Sequence, residues 1–369
     1  MIKKFIRILL KLLMMILLIV ILDVILIATL PINLWQHEAS NNQYHNWMEE
    51  TLDDDILLIN ITMLGAHDAF SSKISISSSV DKALLKTNDK AAELADSSFG
   101  FLYKGLMVRL MKAQYSNVTT LLNKGVRYLD VRLTFNNNKN EWYTTHTFLS
   151  DKVNKAFVEV SEFLNQNKKE IIIFDIQHIY DERTEDGRAN ENSYQEVKQL
   201  LIDTSLYDKA VDFSETSLSE MTYGNALSDS STGKVVILMK DNSGDSKILN
   251  YETSIRSNWA NTIDDDKLIS FIDNEVNEVK GNEDELKKFR VMQAQKTAQI
   301  SSSRDIYKTI ISYSLLSMAR KSNNFILTNE KIDEYLIYLP ILMVDYSDTN
   351  YDSFNDKVMN KIININQNK

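Results

Sequence analysis

The chain has no cysteine, two prolines, nine glycines and only five histidines among its 369 residues. Without cysteine, neither a disulfide framework nor a thiolate metal site can form. The prolines and glycines are not concentrated in a linker, and no internal repeat is visible, which favours one folded body. Hydrophobic residues make up 44% and charged residues 25%, the balance of a globular protein.

Acidic residues outnumber basic ones outside the amino terminus. The first 35 residues carry Lys3, Lys4, Arg7 and Lys11 against a single acid, Asp23, a net charge of +3. Because the whole chain carries −10, the remainder carries about −13. Nucleic-acid binding requires a basic surface, so we expect no nucleic-acid partner.

One long hydrophobic segment is present. Leu12–Leu22 is uninterrupted, Asp23 breaks the run, and Val24–Leu34 resumes it, so that the whole approaches the ~20 residues that cross a bilayer. Basic residues precede it and acidic residues follow, which places the amino terminus inside the cell. We therefore expect residues 1–35 to be a single-pass transmembrane helix of the cell membrane, with residues 36–369 as an extracellular domain. A cleaved signal segment and a secreted body are the alternative, although no clear cleavage site is visible.

The rest of the chain alternates short apolar runs with helical patterns, which favours an α/β fold with parallel strands. A body of this length suits a distorted (β/α) barrel of the triosephosphate-isomerase type, while a doubly wound sheet also fits the periodicity. Ser71–Ser98 and Asp181–Asn192 are polar inserts that we expect at the surface. Among the predicted strands are Ile56–Leu64, Arg127–Leu133, Glu170–Ile176, Lys234–Met239 and Tyr338–Val344, and among the predicted helices Phe99–Gln114, Val153–Asn165 and Tyr307–Ala319.

Polar side chains lie on the predicted strands or just after them, where a barrel has its active-site face. Two histidines with an arginine between them suit the cleavage of a phosphodiester, because one histidine takes a proton, the other gives one, and the arginine neutralises phosphate charge. The candidate catalytic residues are His67, Asp68, Asp130, Arg132, His146 and Asp345.

Five motifs in this order resemble the phosphatidylinositol-specific phospholipase C X-domain family. They are LGAHD, GVRYLDVRL, THTF, EIIIFDIQHIY and MVDY, and together they span about Asp55 to Tyr346. The resemblance implies a membrane-active phosphodiesterase that cleaves phosphatidylinositol-type phospholipids to diacylglycerol and a cyclic inositol phosphate. The chain also resembles the X-domain-only proteins of this family.

The resemblance assigns roles to the candidate residues. His67 is then the general base, held by Asp345, and His146 is the general acid, with Asp68 as its partner. Arg132 then neutralises the phosphate, as in the bacterial enzymes that use no metal.

The resemblance also bears on cofactors and partners. We expect no cofactor and a monomer that acts on a membrane phospholipid, with Asp130 orienting Arg132 or His67. A calcium ion held by Asp130 and other carboxylates is the alternative.

The chain departs from the family at several positions. Thr147 follows the second histidine, where the family usually has glycine. The lysine of the fourth strand that touches inositol in bacterial enzymes is replaced by Gln177 and His178. The expected substrate-binding residues are Gln177, His178, Lys240, Gln293 and Gln295.

Two other functions remain open. A glycerophosphodiester phosphodiesterase shares the barrel but requires a metal and a Glu-x-Asp pair, whereas this chain has Asp130-Val-Arg132. A non-catalytic surface protein that holds a phosphorylated head group is the other alternative.

Overall fold

The strands and helices below come from a computed structural model, which describes residues 2–29, 37–98, 100–228, 230–240, 243–299, 302–312 and 314–369. The strands in these ranges are β1 (Met63–Ala66), β2 (Val126–Asn136), β3 (Glu141–His146), β4 (Phe148–Lys152), β5 (Ile171–Asp181), β6 (Lys234–Met239), β7 (Ile248–Asn250), β8 (Ile255–Arg256), β9 (Phe289–Gln293) and β10 (Ile341–Val344). The helices are α1 (Ile2–Thr29), α2 (Trp47–Thr51), α3 (Lys82–Lys86), α4 (Lys90–Asp96), α5 (Gly100–Met111), α6 (Val118–Asn123), α7 (Val153–Gln166), α8 (Glu191–Asp203), α9 (Tyr223–Leu227), α10 (Tyr251–Ser254), α11 (Asp265–Lys280), α12 (Glu283–Leu286), α13 (Ser303–Ser312), α14 (Leu315–Leu327), α15 (Ile332–Tyr338) and α16 (Phe354–Asn366).

The main sheet has the order β7-β6-β5-β2-β1-β10-β9-β8, and neighbouring strands along it are parallel. This is the cyclic order of a (β/α) barrel, with the two edge strands, β7 and β8, leaving it open on one side. β3 and β4 form an antiparallel hairpin attached to the end of β2. The predicted α/β barrel fold is confirmed, and its distortion is this opening.

The central strands are largely buried and rich in apolar residues. β2 and β5 have helices on one side and the barrel core on the other, so nearly every residue in them is buried. The amphipathic helix α7 buries Phe157, Val160 and Leu164 against this sheet. The polar residues within these strands are therefore the exceptions that require a partner.

One end of the barrel is closed by a buried ion pair. Arg127, near the start of β2, donates from Nε to Oε2 of Glu170 over 2.6 Å, just before β5 begins. Glu170 also accepts from the backbone of Met48 in α2, and Trp47 of the same helix donates to Gly125 O. The amino-terminal segment thus seals the end of the barrel opposite the strands' carboxyl ends.

Two predicted elements differ from the observed ones. Only the end of Ile56–Leu64 is strand, because parallel pairing with β10 begins at Met63, and the preceding apolar residues are buried in a turn of 3-10 helix. The single helix predicted over Tyr307–Ala319 is two helices, since Ser314 begins α14 by accepting from Ser317 N. Phe99, the predicted start of another helix, lies outside the described residues.

The predicted membrane anchor is wrong. No helix in the described ranges combines the length and the apolar character that crossing a bilayer requires. The uninterrupted apolar run, Leu12–Leu22, is only about half of the ~20 residues needed, and Arg7 and Lys11 precede it. The single-pass location with an external catalytic domain is corrected accordingly. Residues 30–36, at the predicted boundary between anchor and body, lie outside the described residues.

Candidate active site

The six candidate catalytic residues meet at the carboxyl ends of the barrel strands. His67 directly follows β1, Asp345 directly follows β10, and His146 is the last residue of β3. Asp130 and Arg132 lie within β2. Because β1, β2 and β10 are adjacent and parallel, residues up to 278 positions apart in the chain become neighbours.

His67 has a partner at each ring nitrogen. Its Nδ1 lies 2.7 Å from Oδ1 of Asp345. Its Nε2 lies 3.0 Å from Nη2 of Arg132 and 3.2 Å from Oδ2 of Asp68. A guanidinium only donates, so its contact suits a neutral ring, whereas the carboxylate suits a protonated one. The site therefore accommodates both protonation states of His67, as proton transfer requires.

Charge favours the protonated state of His67 in the free protein. Burial by itself lowers the pKa of this imidazole, but the carboxylates of Asp68 and Asp345 outweigh burial and raise the pKa to about 9. Burial also raises the pKa of Asp345, against the opposing effect of His67. The short contact between Nδ1 of His67 and Oδ1 of Asp345 thus joins a ring that favours its protonated form to a carboxyl group whose pKa is raised by burial.

Asp68 joins the two histidines to the arginine. Its Oδ1 lies 2.8 Å from Arg132 Nε, and its Oδ2 lies 3.0 Å from His146 Nδ1. Burial would raise the pKa of this carboxyl, but Arg132, His146 and His67 together hold it well below its usual range. Asp68 has φ = 42°, a left-handed conformation that non-glycine residues rarely adopt. That strained backbone is held in place because Asp68 N donates to Asp130 Oδ2.

Arg132 bridges two carboxylates. Besides Asp68, its Nη2 lies 3.2 Å from Oδ2 of Asp130. Burial opposes the charged form, but Asp130 and Asp68 outweigh it and raise the pKa of Arg132, so the guanidinium stays positive. About a quarter of the side chain is exposed toward the cavity, which leaves it able to meet an anion.

His146 is held by the backbone as well as by Asp68. Its Nδ1 donates to Met111 O, 2.7 Å away, at the end of α5. With Nδ1 engaged, Nε2 is the nitrogen that can serve a ligand in the cavity. Thr147, which follows, has φ = 63°, a conformation that glycine adopts without strain. The glycine that the family resemblance led us to expect would suit this conformation, and the threonine adopts it here.

A cavity of about 540 Å³ opens above these residues. Its floor includes His67, Arg132 and His146, and its walls carry most of the residues predicted to bind substrate. The predicted wall residues that line it are Gln177, His178, Gln293 and Gln295. Burial and, to a lesser extent, the positive charge of Arg132 lower the pKa of His178 to about 4, so this ring is neutral at pH 7. A neutral, amide-rich wall is suited to hydroxyl groups.

The structure does not bring Lys240 to this cavity. Its ammonium lies 2.8 Å from Oε1 of Glu252, and about half of the side chain is exposed. The residue follows β6, but the pair with Glu252 on α10 keeps it at the surface. This prediction is corrected for that reason.

Several residues at the site were missed by the sequence analysis. Gln114 donates from Nε2 to the carbonyls of His67 and Val344, and thereby fixes the ends of β1 and β10 together. Tyr251 of α10 and Trp259, which follows β8, also line the cavity. Gln114 ends a predicted helix and the other two lie in no periodic pattern, although a lone tryptophan in the polar stretch around Trp259 was an available signal.

One group of residues has metal-ligand character. Ligand atoms of His67, Asp68 and Asp130 lie within 4.8 Å of one another. Arg132 already contacts both carboxylates, however, and a guanidinium there repels a cation. These residues therefore fit a metal poorly, and the absence of a cofactor stays a prediction.

An α/β barrel with two histidines, an arginine and buried carboxylates at its carboxyl end defines a class of phosphate-handling protein. No family model matches the chain. PI-PLC X domain-containing protein 3 of Bos taurus is 27% identical over 255 residues, which are 64% of this chain and 70% of that protein. Its Mus musculus counterpart is 33% identical over 143 residues, 37% of this chain and 43% of that protein. Variant-surface-glycoprotein phospholipase C of Trypanosoma cruzi is 29% identical over 174 residues, 44% of each chain.

Solved structures agree in fold. The phosphatidylinositol-specific phospholipase C of Listeria monocytogenes matches with a TM-score of 0.55 at 17% identity, covering 88% of this chain and 99% of that one. That of Staphylococcus aureus matches with a TM-score of 0.57 at 17% identity, covering 89% and 99%. The similarity to phosphatidylinositol-specific phospholipases C and X-domain proteins, predicted from five motifs, is confirmed.

Proposed function

We propose that this protein is a phosphoric diester hydrolase that cleaves phosphatidylinositol-type phospholipids. The observation that carries the proposal is the pair of histidines on either side of Arg132, with Asp345 beside His67 and Asp68 beside both rings. The names of three related proteins, two from animals and one from a trypanosome, support this substrate class. The neutral polar wall of the cavity suits a polyol head group.

The proposed reaction uses the two histidines in opposite directions. Nε2 of His67 takes the proton of the inositol 2-hydroxyl, and that oxygen forms a bond to phosphorus. The bond from phosphorus to the glycerol oxygen breaks, and His146 gives its Nε2 proton to that oxygen. Diacylglycerol leaves, and a cyclic inositol phosphate remains. The reaction needs no external acid, base or oxidant.

The carboxylates and the arginine support these steps. Asp345 stabilises His67 once it is protonated, and the charge of Asp68, whose Oδ2 lies 3.0 Å from Nδ1 of His146, stabilises the protonated form of that ring. Arg132 is positioned to donate to phosphate oxygens through its planar fork. No observation favours the two alternatives: Arg132 takes the place a metal would need, and a binding protein has no use for two paired histidines.

We propose that the partner is a lipid surface and that α13 contacts it. This helix exposes Ile306, Tyr307, Ile310 and Ile311, of which Tyr307 is 64% exposed. Their spacing places them on one side of a helix. An exposed apolar patch on a soluble body marks an interaction site.

The patch adjoins the cavity mouth. Thr309 of α13 exchanges two hydrogen bonds with Gln299, and Trp259, about half exposed, donates to Thr297, which lines the cavity. Trp259 and α13 are therefore on the rim through which a membrane lipid would enter. Tryptophan and tyrosine favour membrane–water interfaces.

The experiment is an assay of the purified chain against a panel of phospholipid vesicles. The water-soluble product is followed by 31P NMR, with and without a chelator. We expect cleavage of phosphatidylinositol, a cyclic phosphate product, and no effect of the chelator. Cleavage that depends on added metal, or binding of inositol phosphate without any turnover, would replace this function with one of the two alternatives.

A further inference from the structure

The polar insert between β1 and β2 contains a carboxylate that is almost completely buried. Asp81 is 1% exposed, although the sequence places it in a serine-rich surface segment. Its Oδ1 accepts from the hydroxyl of Thr134 at 2.9 Å, and its Oδ2 accepts from that of Thr145 at 2.8 Å. Its backbone N donates to Thr147 O at 2.9 Å. Asp81 thus contacts the residues on both sides of His146.

Helix capping explains only part of this arrangement. Oδ1 of Asp81 also accepts from the backbone of Ala83 and Leu84, which is the usual N-cap of a helix, here α3. An exposed aspartate would satisfy the same two amides. Burial instead raises the pKa of Asp81 to about 6, against the hydrogen bonds that stabilise its charge. A buried carboxylate is a costly way to cap a five-residue helix.

Most contacts beyond the cap restrain the hairpin that carries His146, while Thr134 joins Asp81 to β2, the strand to which the hairpin is attached. Thr145 is in β3, and Thr147 forms the left-handed turn between β3 and β4. The segment before Asp81 continues this restraint, since Leu149 N donates to Ser79 O. The hairpin is therefore held from the outside by the insert, while Met111 and Asp68 hold the ring of His146 directly.

We propose that Asp81 is a positioning residue, which fixes the hairpin so that Nε2 of His146 faces the oxygen of the departing group. The inference rests on the proposed function, in which His146 is the general acid. Displacing a catalytic group by about 1 Å reduces turnover by about 100-fold. Loss of Asp81 therefore weakens proton donation without removing the acid.

The test compares two leaving groups. The lipid loses a glycerol alkoxide, which needs a proton, whereas an inositol nitrophenyl phosphodiester loses a nitrophenolate, which does not. We expect Asp81→Ala to lower kcat on the lipid by about 10- to 100-fold and on the nitrophenyl substrate by less than about 3-fold. Thr145→Val, which removes one donor and leaves the helix cap intact, should show the same selectivity with a smaller effect.

The controls separate the positioning role of Asp81 from the proposed function, in which His146 is the general acid. Asn190→Ala removes the N-cap of α8, outside the cavity lining, and should lower stability without changing either rate selectively. If His146→Ala lowers kcat equally on both substrates, the assignment of His146 as the acid fails. If His146→Ala is selective but Asp81→Ala and Thr145→Val are not, the positioning role alone is overturned. Asp81→Asn, which keeps one acceptor oxygen, should recover part of the lipid activity.

Discussion

The rings of His67 and His146 face each other with centroids 5.8 Å apart and their planes at 78°. The edge of one ring points toward the face of the other, and Asp68 lies within 3.2 Å of both. Both rings and Arg132 line the same cavity, so that all three side chains can contact one bound phosphate group. The predictions below start from this arrangement.

Replacing either histidine should abolish turnover without unfolding the protein. We expect His67→Ala and His146→Ala each to lower kcat on phosphatidylinositol by about 100- to 10,000-fold, the range of general acid–base catalysis. His45→Ala is the matched control, because its side chain is exposed and only its backbone oxygen is used, by Arg127. Circular dichroism melting curves would show that the variants remain folded. Full activity of either variant on the true substrate would contradict the mechanism.

The pKa values of His67 and His178 should lie far apart. We expect NMR titration to give His67 a pKa near 9 and His178 a pKa near 4. If His67 is the base, kcat/KM should rise with pH until about 9, because the proton must first leave this ring. An ascending limb centred near 6.5 would mean that Asp68 and Asp345 do not hold that proton.

The same shift predicts a pH dependence of stability. The folded pKa of His67 is above 6.5, so its ion pairs contribute stability that is fully present below pH 6.5 and is lost as pH rises through about 9. The difference in unfolding free energy between the wild type and His67→Gln should therefore shrink over this window. The upper limit of this change is about 3.5 kcal/mol, from ~1.4 kcal/mol per pKa unit. Denaturant titrations at pH 6 and pH 9.5 would measure it.

Arg132 should not be replaceable by lysine. Lysine keeps the positive charge but lacks the planar fork of arginine, which contacts Asp68 and still has N–H donors free for phosphate. We therefore expect Arg132→Lys to lower kcat/KM by about 100-fold or more. Arg183→Lys, at a surface pair with Glu196, should leave kcat/KM unchanged. Unaltered turnover in the Arg132 variant would remove the arginine from the proposed reaction.

The rim patch should matter only at a lipid surface. We expect Tyr307→Ser and Ile311→Ser each to lower activity on vesicles by about 10-fold and to leave activity on a water-soluble nitrophenyl substrate within about 2-fold. Each variant removes exposed apolar area, and a loss of about 1.4 kcal/mol in membrane affinity corresponds to a tenfold change. Vesicle co-sedimentation gives an independent measurement. Tyr351→Ser changes an exposed tyrosine outside the rim and serves as the control. Equal losses on both substrates would place the residues in catalysis instead.

The buried pair at the closed end of the barrel should dominate stability. Arg127→Met leaves Glu170 buried and unpaired, for which we expect a loss of about 3–5 kcal/mol in unfolding free energy. Lys82→Met breaks the exposed pair with Asp96 and should cost about 1 kcal/mol or less. Urea denaturation measures both, and similar losses would contradict the difference in burial.

Much of the site was predictable because barrel strands carry a regular signal. Apolar runs such as Lys234–Met239 match the observed strand, and the order of strands in the chain is also their order round the sheet. Residues at the ends of such runs therefore converge whatever the loops do. That is why His67, Arg132, His146 and Asp345 could be grouped from the sequence.

The sequences of the loops predicted less about side-chain contacts, because loop residues follow no hydrophobic periodicity. Lys240 follows a correctly predicted strand, yet its pair with Glu252 keeps it from the cavity. Gln114 and Asp81 are in segments that looked like a helix end and a surface loop, but each is buried and holds a strand end. Whether a polar side chain in a loop is solvated or buried depends on what packs over it.

The sequence by itself determined the order of the strands and the chemical groups at their ends, because hydrophobic periodicity is local and barrel order follows chain order. Only the tertiary structure decided which carboxylate contacts which ring, how Asp68 serves both histidines, and that Asp81 restrains the hairpin of His146. Apart from the neighbours His67 and Asp68, these contacts join residues from 64 to 278 positions apart, and their geometry depends on backbone angles and packing that no local pattern encodes.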